Sequence, residues 1–298
     1  MEIKNRLGQT EKEFLNSYDS NKYEKPSVTV DMLIFTVDEK ENSNYRKLNE
    51  KELKILLIKR ADHPYIGQWA IPGGFVNIDE SLDDAATREL YEETNVKDIY
   101  LEQLFTWGKV KRDPRMRVIS TSYLALVDKE SLDVKAGDDA EDVKWFSISH
   151  KSVEKNLTQL KDGYIYEEVF ELNLINGDIK LSANVKNITT LQGKSKKYSY
   201  EIKSNDGIAF DHSSIILYAI SRLRNKVMYT DIAFNLMPEY FTLKELEQVY
   251  SIILNKKMQN FRRVVQDIVI ETNETRTKAG HRPAKLFKYN YLHGLDLN

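Results

Sequence analysis

Three carboxylates stand at i, i+3 and i+4 within GFVNIDESLDDAATRELYEETNV, residues 74–96: Glu89, Glu92 and Glu93. On a helix this spacing puts them on one face, where ionised neighbours repel. A hard divalent cation removes that penalty, and ligands that are all oxygens suit Mg²⁺ or Mn²⁺. Arg88 adjoins the first of them, and Glu80 lies upstream. A guanidinium among carboxylates orients them by charge-assisted hydrogen bonds. A run of acids is also what an ordinary solvated helix face looks like.

The element that must carry these groups is legible. Leu82, Ala85, Ala86 and Leu90 recur at helical spacing, which predicts one amphipathic helix with its acids away from the apolar stripe. Ser81 suits its start, and Asp83 and Asp84 suit its first turn, where acids complement the helix dipole. Before it, Pro72, Gly73 and Gly74 in HPYIGQWAIPGGF make a turn where backbone approaches something closely.

At this point the stretch resembles the Nudix box, G-x5-E-x7-R-E-U-x-E-E-x-G-U, with U a bulky aliphatic. One specified position departs: Asn95 replaces the late Gly. A residue just past a helix end often takes a left-handed conformation, and Asn is the best substitute for Gly there. The resemblance implies metal ligation by Glu89, Glu93 and Glu92 with a backbone carbonyl from Gly73. It also implies an orienting role for Arg88, with Glu80 supporting Arg88 or the helix start. The chemistry implied is water attack on a pyrophosphate in a nucleoside diphosphate derivative, with ADP-ribose giving AMP and ribose 5-phosphate.

At 298 residues the chain has room for two domains, and its formal charge of −2 gives no global basic signal for nucleic acid. With no cysteine, disulfides, thiol nucleophiles and thiolate zinc sites are excluded. No apolar run reaches membrane-spanning length and the N-terminus is polar, so a cytoplasmic protein is expected, with no membrane partner. Residues 1–26 read as a polar arm, helical over 10–18.

SVTVDMLIFTV and KILLIKR read as buried strands, with residues 39–53 as the loop between them. After the box, residues 99–107 and 117–127 read as strands joined by VKRDPRMR. There Arg112, Arg115 and Arg117 surround Asp113-Pro114. Arginine forks suit substrate phosphates, although a basic hairpin tip needs no ligand. Trp69, Phe105 and Trp107 could stack a base, or serve as core. Asp138, Asp139 and Glu141 lie in a loop before the Trp145-Phe146 strand. In ADP-ribose-type Nudix enzymes such a loop can hold a catalytic acid or base; an acidic surface loop fits equally. Residues 151–205 alternate around Asn176-Gly177 and read as an inserted hairpin or small sheet.

Residues 210–228 are helical in period, with Asp211 at the start. FTLKELEQVYSIILNKKM follows Met237-Pro238 as a helix capped by Thr242, then FRRVVQDIVIE as a second helix capped by Asn260. A strand, a Gly/Pro turn and another strand complete a winged-helix layout. From 256 to 291, five Lys and four Arg against one Asp and two Glu leave +6. Arg262 and Arg263 open the second helix, where recognition helices meet base edges. Arg276, Lys278, His281, Arg282 and Lys285 decorate the wing, where cations suit phosphates. A winged helix used only for protein contact fits the same pattern.

The whole chain then resembles the Nudix-related transcriptional regulators of the NrtR type, through YEKPSVTVDMLIF, the box, RDPRMRVIS, AFDHSSIILYAISRLR, FTLKELEQVYSIIL, NFRR and GHRPAKLFKY. The expected fold is α/β (α+β). A Nudix α/β/α sandwich with a mixed sheet spans 27–228, with a β-rich insertion near 151–205, and a C-terminal winged helix spans 229–298. The expected function is a Nudix pyrophosphohydrolase acting on ADP-ribose and fused to a DNA-binding domain. The alternative is a regulator that senses ADP-ribose or a sugar ligand with little or no catalysis. Double-stranded DNA and a second copy of the chain are the partners this implies.

Overall fold

The computed structural model describes residues 3–40, 50–95, 99–129, 140–277 and 283–294. A short polar helix, α1 (Glu11–Ser17), is capped by Thr10 and buries none of its residues. The centre is β1 (Ser27–Glu39), buried without a break from Val30 to Val37. Continuous burial means both faces of this strand are covered, Asp31 and Thr36 being the polar residues in an otherwise apolar run. β2 (Lys51–Arg60) pairs with it antiparallel, starting slightly before the expected residue 54. Two short strands, β3 (Trp69–Ala70) and β4 (Gly73–Phe75), lie against β2 and β1 and lead into α2 (Leu82–Thr94). β5 (Tyr100–Trp107) then pairs with β6 (Val118–Leu126), which runs parallel to β1.

Alternation along β1 and β2 builds two apolar layers. Val30, Met32, Ile34 and Leu56 meet Ala85, Ala86 and Leu90 of α2 on one face. Leu33, Phe35, Ile55 and Leu57 point to the other, where α3 (His212–Lys226) inserts Ile215, Ile216, Ala219 and Leu223.

Residues 151–205, expected as an inserted hairpin or small sheet, form strands that extend the central sheet. β7 (Ala140–Leu160) pairs with β2 near Trp145 and Phe146 and runs on unbroken to pair with β8 (Gly163–Asn176). β9 (Ile179–Gln192) and β10 (Ser195–Asp206) continue the sheet, whose order is β10-β9-β8-β7-β2-β1-β6-β5. The apolar half of the alternation, Leu172, Leu174 and Val185, enters the same core as α3. The sheet curls far enough that its two outer strands meet around α3. Trp107 of β5 lies 6.1 Å from Tyr200 of β10, and Tyr218 of α3 contacts both rings.

α3 continues through a buried 3-10 turn at Ile232–Leu236 to α4 (Leu243–Leu254). Thr242 and Glu245 form a reciprocal cap there, and Leu246, Val249, Tyr250 and Ile253 are buried. Arg224 of α3 donates to the Ile253 carbonyl at 2.8 Å and meets the His150 ring of β7 at 2.7 Å. Burial, and then the Arg224 charge, hold His150 down at about 4. The next helix is shorter than its sequence suggests. α5 spans only Phe261–Val265, because the β-branched residues that follow pair as β11 (Val269–Arg276) with β12 (Ala284–Tyr289). Asn260 does not cap it; its side chain makes no cap bond and its φ is 53°. Phe241 and Phe287 exchange backbone hydrogen bonds, adding a third edge to the wing. Among the described residues, no helix is long and apolar enough to cross a membrane.

Candidate active site in the carboxylate cleft

α2 is fixed at both ends. Ser81 caps it reciprocally with Asp84, the Tyr123 hydroxyl of β6 donates to Asp83 at 2.6 Å, and Asn95 ends it at φ 54°. The left-handed conformation expected for the Gly-to-Asn departure is the one observed; Val96 lies outside the described residues. The acidic face is not uniformly solvated. Glu89 and Glu93 are buried at 8% and 7% exposure, whereas the Glu92 side chain is half exposed.

β4 explains that burial. A Cβ on Gly74 would fall 2.1 Å from Oε1 of Glu89, and one on Gly73 would fall 2.1 Å from the Val30 carbonyl oxygen. Gly74 lets backbone lie directly on the Glu89 carboxylate, and Gly73 lets it lie on β1. Arg88 joins the acids: it donates to Glu80 at 2.8 and 3.1 Å, to Glu89 at 2.6 Å, to Glu92 at 3.4 Å and to the Phe75 carbonyl. Glu80 also accepts from the Asn77 amide. The Arg88 fork and that amide hold Glu80 at about 2. Burial pushes Glu89 upward against the pull of Arg88.

Among the described residues, Glu93 has no such partner. Burial, then the charges of Glu89 and Glu92, push it up to about 7, and its Oε2 is buried without a hydrogen bond. A buried carboxylate oxygen with no donor among the described residues, on the same helix face as two more carboxylates, is open to a hard cation. Glu89, Glu93 and the Gly73 backbone would hold such an ion, with Glu92 at the rim. Among the described residues, no three acids or histidines already converge as a ligand set.

These groups line a cleft of about 890 Å³ together with Arg112, Arg115, Arg60, Phe210 and His212. The three candidate phosphate forks divide. Arg112 is buried and bidentate on Asp211 at 2.8 and 3.0 Å, with Asp31 at 3.5 Å. Burial opposes its charge, but the two carboxylates outweigh it and raise its pKa. Arg115 is bidentate on buried Asp113 and lies over the Phe75 ring. Arg117 does not line the cleft and donates to the Lys109 carbonyl. Arg112 and Arg115 thus face the cleft as charges already clasped by acids, not as open forks. Asp211 gives its carboxylate to Arg112 instead of capping α3. Trp69 and Trp107 are core; Phe105 is 45% exposed.

Sequence reasoning missed Asp31, Asp211 and His212. His212 is buried and its Nδ1 accepts from the Ile71 amide at 2.9 Å. The one signal was the Asp211-His212 pair at a helix start. Glu141 pairs with Lys59 on an exposed strand end; Asp138 and Asp139 lie outside the described residues.

In the C-terminal unit, Arg262 and Arg263 are exposed on α5. Arg276 is not an open wing cation: it donates to Glu245 and the Tyr240 carbonyl, tying the wing to the start of α4. Lys285 pairs with Glu271. Lys278, His281 and Arg282 lie outside the described residues.

The NUDIX domain profile matches residues 45–167, and the NrtR DNA-binding winged helix profile matches 233–289. The chain is 30% identical to the ADPR responsive transcriptional repressor NtrR of Acinetobacter baylyi, over 97% of this chain and 92% of that one. It is 32% identical to the ADP-ribose pyrophosphatase of Methanocaldococcus jannaschii over 51% of this chain and 86% of the relative. Among solved structures, Shewanella oneidensis NrtR complexed with a 27mer DNA superposes with a TM-score of 0.58 at 30% identity, covering 88% of this chain and 93% of that one. A MutT/nudix family protein of Enterococcus faecalis superposes with a TM-score of 0.65 at 29% identity, covering 95% and 94%.

Proposed function

The chain belongs to the NrtR-type family, Nudix-related regulators with a DNA-binding winged helix, and from that premise we propose that its cleft binds and hydrolyses ADP-ribose while its C-terminal unit binds double-stranded DNA. The observation that carries the hydrolytic part is Glu93: a buried carboxylate with an oxygen that no group among the described residues satisfies. A full-length relative named for its response to ADPR, and a second named as an ADP-ribose pyrophosphatase, support the ligand.

A divalent cation of the Mg²⁺ or Mn²⁺ class, when bound, neutralises pyrophosphate charge and acidifies a water. Glu89 and Glu93 would supply oxygens for it. Arg88 opposes the upward push of burial on Glu89 and fixes its direction through the bond at 2.6 Å. Glu80 holds Arg88 in turn, so the rigid part of the site is the Glu80–Arg88–Glu89 chain. In this reading Glu92, at the rim, takes the proton from the attacking water. Water attack at one phosphorus breaks the bridging P–O bond; the water oxygen stays on that phosphorus and the bridging oxygen leaves on the other. The products are AMP and ribose 5-phosphate.

The test is AMP release from ADP-ribose with Mg²⁺, Mn²⁺ or EDTA, wild type against Glu93→Gln. Metal-dependent release that falls by about 10²-fold or more in the variant supports the proposal, a size in line with loss of a metal-ion contribution. A second reading, a sensor without turnover, is favoured by the full-length relative, which is named as a transcriptional repressor. Wild-type protein that binds ADP-ribose and releases no AMP establishes that reading instead. For DNA, Arg262→Ala with Arg263→Ala should weaken binding and flatten its salt dependence; unchanged binding removes α5 as the contact element.

A further inference from the structure

Arg112 lines the cleft, yet a phosphate approaching its fork meets two acids first. Asp211 holds the guanidinium at 2.8 and 3.0 Å, and Asp31, which also lines the cleft, stands at 3.5 Å. Two carboxylates repel an incoming anion. An anionic group therefore takes Arg112 only where Asp211 gives it up, and an arginine fork fits phosphate as well as it fits carboxylate.

Asp211 has a second place to go. It is the residue before α3, the position from which an Asp side chain accepts from first-turn amides, but it makes no such bond. Its backbone, at φ −95° and ψ 17°, lies outside the extended region that a capping residue adopts. Phe210 before it holds a left-handed φ of 53°, unfavourable for an aromatic residue. After it, the Ser213 hydroxyl is buried with no hydrogen-bond partner among the described residues. The entry to α3 thus runs against its own local preferences for as long as Asp211 is bonded to Arg112.

The far end of α3 is joined to the C-terminal unit. The helix has 15 residues, a length of about 22 Å. In its last turn Arg224 donates to the Ile253 carbonyl of α4 at 2.8 Å. Leu223 shares one apolar cluster with Leu246, Val249 and Ile253. A shift at the first turn of a rigid, packed helix is delivered to whatever its last turn holds.

We propose that Asp211 is a latch opened by the ligand: an anionic group in the cleft takes Arg112, Asp211 turns to cap α3, and α3 carries the change through Arg224 to α4, altering the affinity of the winged helix for DNA. This rests on the reading of the cleft as an ADP-ribose site and of the C-terminal unit as a DNA-binding one. It adds the residues that couple the two.

The experiment is fluorescence anisotropy of a labelled duplex, the DNA upstream of the protein's own coding sequence, titrated with the full-length protein with and without ADP-ribose. EDTA keeps the ligand from being consumed. In wild type ADP-ribose should change DNA affinity about fivefold or more, the lower end of typical couplings. Asp211→Asn keeps a capping side chain and loses the charge that holds Arg112. Without ligand it should bind DNA as liganded wild type does, and it should bind ADP-ribose more tightly, since opening the latch is no longer part of binding. Arg224→Met should bind ADP-ribose normally while its DNA affinity no longer responds. Asp211→Asn that matches ligand-free wild type on DNA and still responds in full overturns the latch, as does a full response in Arg224→Met. A readout on wild type alone serves if neither variant folds: hydrogen exchange at the Ser213 amide should slow when ADP-ribose binds, as capping requires, and unchanged exchange overturns the latch. Wild type that binds ADP-ribose and DNA with no effect of one on the other overturns the latch and leaves both binding readings standing. Wild type that binds neither, in EDTA or in Mg²⁺, removes those readings, and the latch falls with them.

Discussion

Glu93 links the cleft to pH. Its carboxyl sits at about 7 in the fold, against an ordinary 4.5, chiefly because it is buried. Between those values the folded, metal-free protein keeps a proton that the unfolded chain has lost. Stability therefore falls as pH rises from 4.5 to 7 and levels off above. Glu89 is shifted the same way, while acids held down by partners, such as Glu80, change stability only below their ordinary values. In EDTA, melting temperature should decline across that window, and Glu93→Gln should flatten the decline; an identical slope in the variant would remove Glu93 as its source. Mg²⁺ should stabilise most near and above pH 7, where it no longer competes with a proton. The residue types and their spacing were legible from the chain. Which of the three glutamates go under cover was not, because i, i+3 and i+4 share a helix face, and contacts such as the Gly74 backbone lying on Glu89 come from outside the helix.

The clasp between the β5–β6 turn and the start of α3 is the element-scale counterpart. Arg112 and Asp211 are 99 residues apart in sequence and bonded at 2.8 and 3.0 Å, with Arg112 buried. Breaking one side of a buried charge pair costs about 3–5 kcal/mol, because the other charge is stranded. Arg112→Gln should lower unfolding free energy by that order in urea titrations, with Asp211→Asn similar and the double variant far from additive. Additive losses would mean the two do not act as a pair. The sequence showed an arginine at a turn and suggested a phosphate fork, since nothing local reveals a partner so far along the chain. The same limit affected α5, where helical period competed with a β-branched run that pairs only once β12 arrives. Local signals fared better: the caps at Ser81 and Thr242 and the left-handed Asn95 need no distant residue.

At the scale of the molecule, one apolar cluster runs from β1 through α3 into α4 and Phe287 of the wing. Two profiles match the two halves, yet α3 is common property: its middle fills the curled sheet and its end holds α4 through Arg224 and Ile253. Calorimetry should show one cooperative transition for the full chain; two resolved peaks would mean the halves melt apart. The seam where the outer strands meet has an optical consequence. Trp107 is wedged among Phe105, Tyr200 and Tyr218, and its indole N–H donates to Ser122 at 2.9 Å. Tyrosines that close pass excitation to the indole, and a buried indole emits toward the blue. With Trp69 and Trp145 replaced by Phe, the colour of the remaining emission becomes a gauge of whether the sheet is wound shut around α3, readable in real time as ligand or DNA is added.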